Sequence, residues 1–224
     1  MRCPKHQPTT STIVWLPGDF RTHSPPANTF RAIVTDPPYG KNYLAVSGDH
    51  EPIANDGSVE VAATELTAAL AWAAPALLPE AHYLGFCDWA SVEPFAAALT
   101  TAGFTVRRRL VWDKCVHTNG YLGTFGSQCE LLLHATRGAP ALRPRLGNVL
   151  RCPRVRADRH PTEKPVPLLR KLIECTTRPG EWVLDMFGGV ASTAAAAQGT
   201  GRRCWSCEVD EKYFAAGQKR LTEE

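Results

Sequence analysis

An α/β domain built on a mostly parallel sheet is the architecture this chain predicts, and three observations carry it. Seven strand-like runs are spread along its 224 residues. Helical patterns fall between several of them, and strands alternating with helices imply a parallel sheet covered on both faces. The last two strand–helix units follow a dinucleotide-type order of strand, glycine turn, helix, strand, acid. The length suits one domain, and a hydrophobic fraction of 44% is enough for a large core.

In chain order, Thr12–Leu16 and Phe30–Thr35 are apolar or β-branched runs that end at turn-forming residues. Val59–Leu78 is alanine-rich with apolar residues at helical spacing, and so is Val92–Thr101 beyond the strand-like Ala81–Cys87. Thr105–Trp112 and Cys129–Ala135 are further strands. Lys164–Thr176 reads as a helix with Pro165 in its first turn, where the missing amide costs nothing. Glu181–Asp185 is a strand, Ala191–Gly199 a helix ending on glycine, Arg203–Cys207 a strand, and Asp210–Leu221 a helix with an acidic first turn. Gly40–Ser58 and Thr136–Arg159 carry no element signal, and loops of that length in a compact domain are usually functional or mobile.

Net charge is only +3, so global basicity says little about partners. Its distribution says more: residues 137–159 hold seven arginines against the single acid Asp158. Such a run is a solvated loop by default, and a phosphate-contacting surface if it borders a base-modifying site. Met1–Thr10 is polar with two prolines and reads against a signal peptide. Ala68–Leu78 is too short, and broken by Pro75, to span a membrane. Eight cysteines without framework spacing fit a reducing, cytoplasmic setting. Cys204 and Cys207 lie in one strand, where alternation points them to opposite faces, so no metal site is expected from them.

Two stretches carry the chemistry. Asp36-Pro37-Pro38-Tyr39 and Val183-Leu184-Asp185-Met186-Phe187-Gly188-Gly189 each follow a buried-strand pattern, and ligands bind beyond the carboxyl ends of such strands. An exocyclic amine such as adenine N6 is a poor nucleophile because its lone pair is delocalised into the ring. Asp36 and the Pro37 carbonyl, held by two successive prolines, can accept from its two hydrogens as charge develops on nitrogen. The Tyr39 ring can stack on the extruded base, and phenylalanine is expected to replace it mildly. The glycine turn admits a nucleoside cofactor close to the backbone, with Asp185, Phe187 and Gly189 lining it. Glu208, 19 residues beyond Gly189, is placed to accept the ribose hydroxyls. Asp19 and Phe20 offer a carboxylate and a ring for the purine. Thr162 and Lys164, at a helix start within His160–Pro165, are placed to hold an amino-acid carboxylate. Trp72, Trp89 and Trp182 read as packing residues, and Glu130 as a structural hydrogen-bond partner.

From about Ile13 to Leu221 the chain resembles the permuted, β-type amino-methyltransferases, which use S-adenosylmethionine to methylate adenine N6 in DNA. The likeness is carried by Asp36–Tyr39, by His160-Pro161-Thr162-Glu163-Lys164-Pro165, and by the strands Leu110–Lys114 and Cys129–Leu133 that follow the catalytic motif. Aspartate at position 36 is similar to the adenine-type signature, where cytosine-N4 enzymes usually carry serine. The resemblance implies a Rossmann-like methyltransferase fold, a seven-stranded mixed sheet of order 3-2-1-4-5-7-6 with one antiparallel strand. It also implies S-adenosylmethionine as cofactor, DNA as partner, and one catalytic domain over residues 1–224. Within that domain, 136–159 is the candidate DNA-recognition segment, with Arg143, Arg145, Arg151, Arg154 and Arg156 on phosphates. The chain departs from the pattern at Met186, where proline is usual, and at Ala191, where glycine is usual and whose methyl could crowd the cofactor. Cytosine N4, RNA or a protein glutamine remain open as targets, since any planar amine fits the same logic. A cofactor- and DNA-binding protein without catalysis is the remaining alternative.

Overall fold

The computed structural model describes residues 12–41, 56–117, 123, 125–155 and 163–223. Among them eight strands form one sheet: β1 (Ile13–Pro17), β2 (Phe30–Thr35), β3 (Leu77–Cys87), β4 (Thr105–Asp113), β5 (Cys129–Arg137), β6 (Val149–Arg151), β7 (Trp182–Asp185) and β8 (Arg203–Glu208). Their order across the sheet is β1-β8-β7-β2-β3-β5-β4-β6. Counting β7 as the first cofactor strand, the expected 3-2-1-4-5-7-6 order runs from β1 to β4, and β6 adds an eighth strand at the far edge. Only β5 is antiparallel to its neighbours.

The inner strands β2 and β7 read as nearly continuous apolar runs because the sheet is buried on both sides there. In β2, Phe30 and Ile33 enter one core while Ala32 and Val34 enter the other. In β8, Cys204 and Cys207 likewise fall in different cores. The first face is covered by α1 (Val59–Ala73) and α2 (Val92–Thr101), through Leu66, Leu70, Phe95 and Leu99. The second is covered by α3 (Val166–Thr176) and α4 (Ser192–Gln198), through Leu168, Leu172, Ala194 and Ala197. Beside them α5 (Glu211–Glu223) stacks Phe214 on Trp15 of β1, with ring centroids 5.5 Å apart. No helix among the described residues is long and apolar enough to cross a membrane.

Two expectations change. The first helix was expected to run to Leu78, but it stops at Ala73 and tightens through Ala74–Ala76 around Pro75, so that Leu77 already pairs with Phe30. Proline removes the amide that the next helical turn needs. Residues 136–159 are also not without structure: β5 continues to Arg137, and Val149–Arg151 pairs in parallel with Val111–Asp113.

Candidate active site

The two motif-bearing strands are neighbours. β2 pairs with β7, Ile33 opposite Leu184, so Asp36 and the Asp185 turn leave the sheet side by side. A buried hydrogen bond joins them: Thr35 Oγ1 donates to Asp185 Oδ1 at 2.7 Å. The same carboxylate accepts from the Phe187 amide at 3.1 Å and bends the turn. Burial raises Asp185 to about 6, against the hydrogen bonds of Thr35 and Phe187.

Asp36 is engaged at both oxygens. Tyr39 Oη donates to Oδ1, and Lys164 Nζ donates to Oδ2 at 2.6 Å. Lys164 is 5% exposed and also faces Glu130 Oε2 at 3.4 Å, with its ammonium 5.6 Å from the Tyr39 ring centroid and 5.0 Å from that of Phe86. Glu130 in turn meets Lys114 at 3.7 Å, so alternating charges run from β5 to Asp36. Burial pushes the Asp36 carboxyl upward, opposed by Lys164 and Tyr39. For Lys164 burial works downward, but Asp36 and Glu130 outweigh it and the ammonium is held upward. Burial and Asp36 likewise push the Tyr39 phenol up, so it donates and stays neutral. Asp56, 5% exposed, fixes the loop below: its Oδ1 accepts from the amides of Tyr39, Gly40 and Lys41 at 2.9, 2.7 and 3.1 Å.

The cofactor edge is laced from three strand ends. Gly18 donates to the Glu208 carbonyl at 2.7 Å, and Gly188 to the Cys207 carbonyl at 2.9 Å. Glu208 Oε2 accepts from the Gly189 amide at 2.6 Å and Oε1 from Asp210 at 2.9 Å, and burial raises this carboxyl to about 7. The turn suits a nucleoside cofactor. A Cβ on Gly189, at φ +54°, would meet nothing within 4 Å, so the backbone there opens on free space. Gly188 is closed instead, since its Cβ would lie 2.5 Å from the Trp15 ring. Ala191 adopts φ +61° at the start of α4 and is 1% exposed. Its methyl is directed into the core, 3.1 Å from where a Cβ on Gly217 of α5 would stand, which answers the expected crowding of the cofactor. Met186 is 3% exposed and fills the other core.

The structure thus brings together Asp36, Pro37, Pro38 and Tyr39 with Asp185, Phe187, Gly189 and Glu208, but it moves four other assignments. Lys164 was expected at an amino-acid carboxylate and is bonded to Asp36 instead. The helix start beside it is a poor anion cradle, because Pro165 and Pro167 lack amide hydrogens and Leu168 and Leu169 donate back to the Pro165 carbonyl. Phe20 was expected to stack on a purine, yet it is 2% exposed, packed edge-on against Trp72 and Phe187. Asp19 caps the short turn Phe20–Thr22 and pairs with Arg21 at 2.6 Å, an exchange that a ligand would have to compete with. Trp89, expected to pack, is 78% exposed because it lies in the turn beyond β3, while Trp72 and Trp182 do pack.

The arginines also divide. Arg151, ending β6 level with Asp113, and Arg154 beyond it stand at the same sheet edge as Asp36. The Arg143 amide bonds the Cys175 carbonyl at the far end of α3, so Arg143 sits toward the opposite edge, and Arg145 follows it two residues later. Arg156, Thr162, His160 and Pro161 lie outside the described residues. Asp56 was not singled out from sequence, and the pairing of Lys164 with Glu130 is visible only in the folded chain. A turn-type Asp-Gly before the helix cap Ser58 was a visible hint of the first. Glu163, in the same motif as Lys164, forms a buried pair with Arg220 of α5 at 3.0 Å, and Arg220 also donates to Val190 O, tying motif and glycine turn together.

A family profile described as DNA methylase, covering N6- and N4-methyltransferases, matches residues 143–219. The Escherichia coli (strain K12) protein "Putative methylase YubD" is 36% identical over 204 residues, spanning 88% of this chain and 83% of that protein. The DNA adenine methyltransferase YhdJ of the same strain is 40% identical over 80 residues, 34% of this chain and 27% of its own. Among solved structures, the complex of M1.HpyAVI with S-adenosylmethionine superposes with a TM-score of 0.70 at 24% identity, over 94% of this chain and all of that one. The cytosine-N4-specific PvuII DNA methyltransferase reaches 0.77 at 16% identity, over 95% of this chain and 87% of its own. These neighbours share the class of sheet described above, and the match with YubD is long enough to decide the family: the chain belongs to the N6/N4 DNA methylases.

Proposed function

We propose that this protein transfers a methyl group from S-adenosylmethionine to the N6 amine of adenine in DNA, with the sheet acting as one catalytic unit. The observation that carries the reading is Asp36. It is an aspartate where cytosine-type relatives usually have serine, and it lies at the end of the strand beside the cofactor turn. When bound, S-adenosylmethionine supplies an electrophilic methyl on its sulfonium.

The chain's own residues do the rest. Gly189 and Phe187 admit and flank the cofactor, and Glu208 accepts from its ribose. Asp36, paired with the Lys164 ammonium, accepts one hydrogen of the amine, and the Pro37 carbonyl accepts the other. Both contacts strengthen as the nitrogen becomes positive, and that difference lowers the barrier. Once methylated, the nitrogen sheds a proton, and the Asp36 carboxylate is the adjacent base. Asp56 holds the Tyr39–Lys41 backbone in place while the base enters. Arg151 and Arg154 contact phosphates at this edge.

Labelled methyl transfer to unmethylated DNA, wild type against Asp36→Ala, tests the reading. Transfer by the wild type and its loss in a variant that still binds cofactor is expected. Near-normal turnover by Asp36→Ala would remove the assignment.

A further inference from the structure

Among the described aromatic residues, only Trp89 and Phe125 are exposed, at 78% and 102%. Single exposed rings are ordinary on protein surfaces and ask for no explanation. These two share an address. Trp89 lies two residues beyond the carboxyl end of β3, the strand next to catalytic β2. Phe125 lies four residues before β5. Since β5 runs antiparallel to β3, with Cys87 opposite Leu131, its start is at the same edge. With strands roughly 4.8 Å apart, the ends of β2 and β5 are only about 10 Å from each other. Val116, 56% exposed beyond β4, continues the apolar line, and Arg151, at the end of β6 and paired with Asp113 at 3.3 Å, closes it. On the catalytic side, Lys41, two residues after Tyr39, pairs with Asp88 at 3.0 Å and so ties the turn that carries Trp89 to the target-amine motif.

We infer that Trp89 and Phe125 are the residues that open double-stranded DNA at the target: they stack on bases left exposed when the adenine leaves the helix. The inference deepens the adenine reading and depends on it. An adenine inside a duplex cannot reach Asp36 unless it is extruded, and extrusion strips stacking from its neighbours and pairing from its partner. A flat ring in the gap replaces part of that loss, as apolar wedges do where proteins unstack base steps. The flanking charges suit the same occupant: Lys41 and Arg151 border the rings in exposed pairs with Asp88 and Asp113, and duplex phosphates running past can take the place of those carboxylates.

The test compares two duplexes, one with the target adenine paired and one with it opposite an abasic site, where extrusion costs less. Trp89→Ala and Phe125→Ala should each lower kcat/KM on the paired duplex about tenfold or more, a loss of one stacked base. On the unpaired target the loss should be within about threefold, because little opening remains to be assisted. Trp89→Phe should recover most of the rate. Both residues are on the surface, so unchanged thermal unfolding is expected. Equal losses on the two duplexes, or no loss on either, overturn the inference and leave the methylase reading intact. Failure of the wild type to methylate either duplex overturns that reading, and the inference with it.

Discussion

Replacing Lys164 with methionine separates two accounts of the site. The substitution keeps an unbranched stem against Tyr39 and Phe86 but removes the ammonium that Asp36 holds at 2.6 Å and Glu130 at 3.4 Å. Two carboxylates would then face one another without the cation between them, only Glu130 keeping a partner in Lys114. Breaking a buried pair costs about 3–5 kcal/mol, and the lower end applies here because water reaches part of both acids. Asp36 and Glu130 keep 26% and 27% of their side-chain surface. The chemical consequence has a definite sign. Burial and Glu130 both raise the Asp36 carboxyl, and Lys164 opposes them, so its removal shifts Asp36 further toward the protonated, inactive form. Single-turnover methyl transfer should therefore fall at neutral pH by at least about tenfold, the rate equivalent of about 1.4 kcal/mol. The acid limb of its pH profile should move upward, with partial recovery in alkaline buffer. Cofactor affinity, read by titration calorimetry, should change little. Had Lys164 held the cofactor carboxylate, as its motif suggests from sequence, affinity would drop instead and the acid limb would stay where it was. That second pattern would refute the structural assignment.

Three further outcomes follow from the same geometry. Tyr39→Phe removes a donor to Asp36 while keeping the ring, and bonds to charged groups contribute about 1.5–3 kcal/mol. A rate loss of about tenfold is expected, and wild-type turnover would return the whole role to the ring. In the proposed pocket Glu208 accepts both ribose hydroxyls, most strongly as the carboxylate, and burial has raised it to about 7. Affinity for S-adenosylmethionine should therefore decline as pH falls through that value and level off above it. A flat calorimetric profile would contradict the role. Ala191→Gly relieves a left-handed backbone costing roughly 1–2 kcal/mol and deletes a buried methyl worth about 0.8 kcal/mol. Stability by urea unfolding should move by about 1 kcal/mol at most, with unchanged cofactor affinity, since the methyl faces Gly217. Tighter cofactor binding would mean that the methyl had been crowding the ligand.

What sequence made legible was local and periodic. β2 and α2 have the bounds their patterns predict, because both carry uninterrupted runs of one period. The pairing of Asp36 with the Asp185 turn was legible because both follow strands in a fold that places ligands at strand ends. β6 was not, since three residues between a long loop and Pro153 carry no period, and only pairing with β4 makes them a strand. Side-chain partners were least legible. Whether Phe20 faces a ligand or Trp72, and whether Lys164 meets a cofactor or Asp36, depends on residues up to 128 positions away. The motif singled out Lys164; its pairing with Asp36 is a property of the folded chain alone.

Methyl transfer to adenine N6 at the Asp36 edge is tested most directly by the mass of the product nucleoside. DNA incubated with the protein and isotopically labelled S-adenosylmethionine is digested to nucleosides and separated. Label is expected in N6-methyladenine, and is absent when Asp36→Ala replaces the wild type. Label in N4-methylcytosine, or in no nucleoside at all, would contradict it.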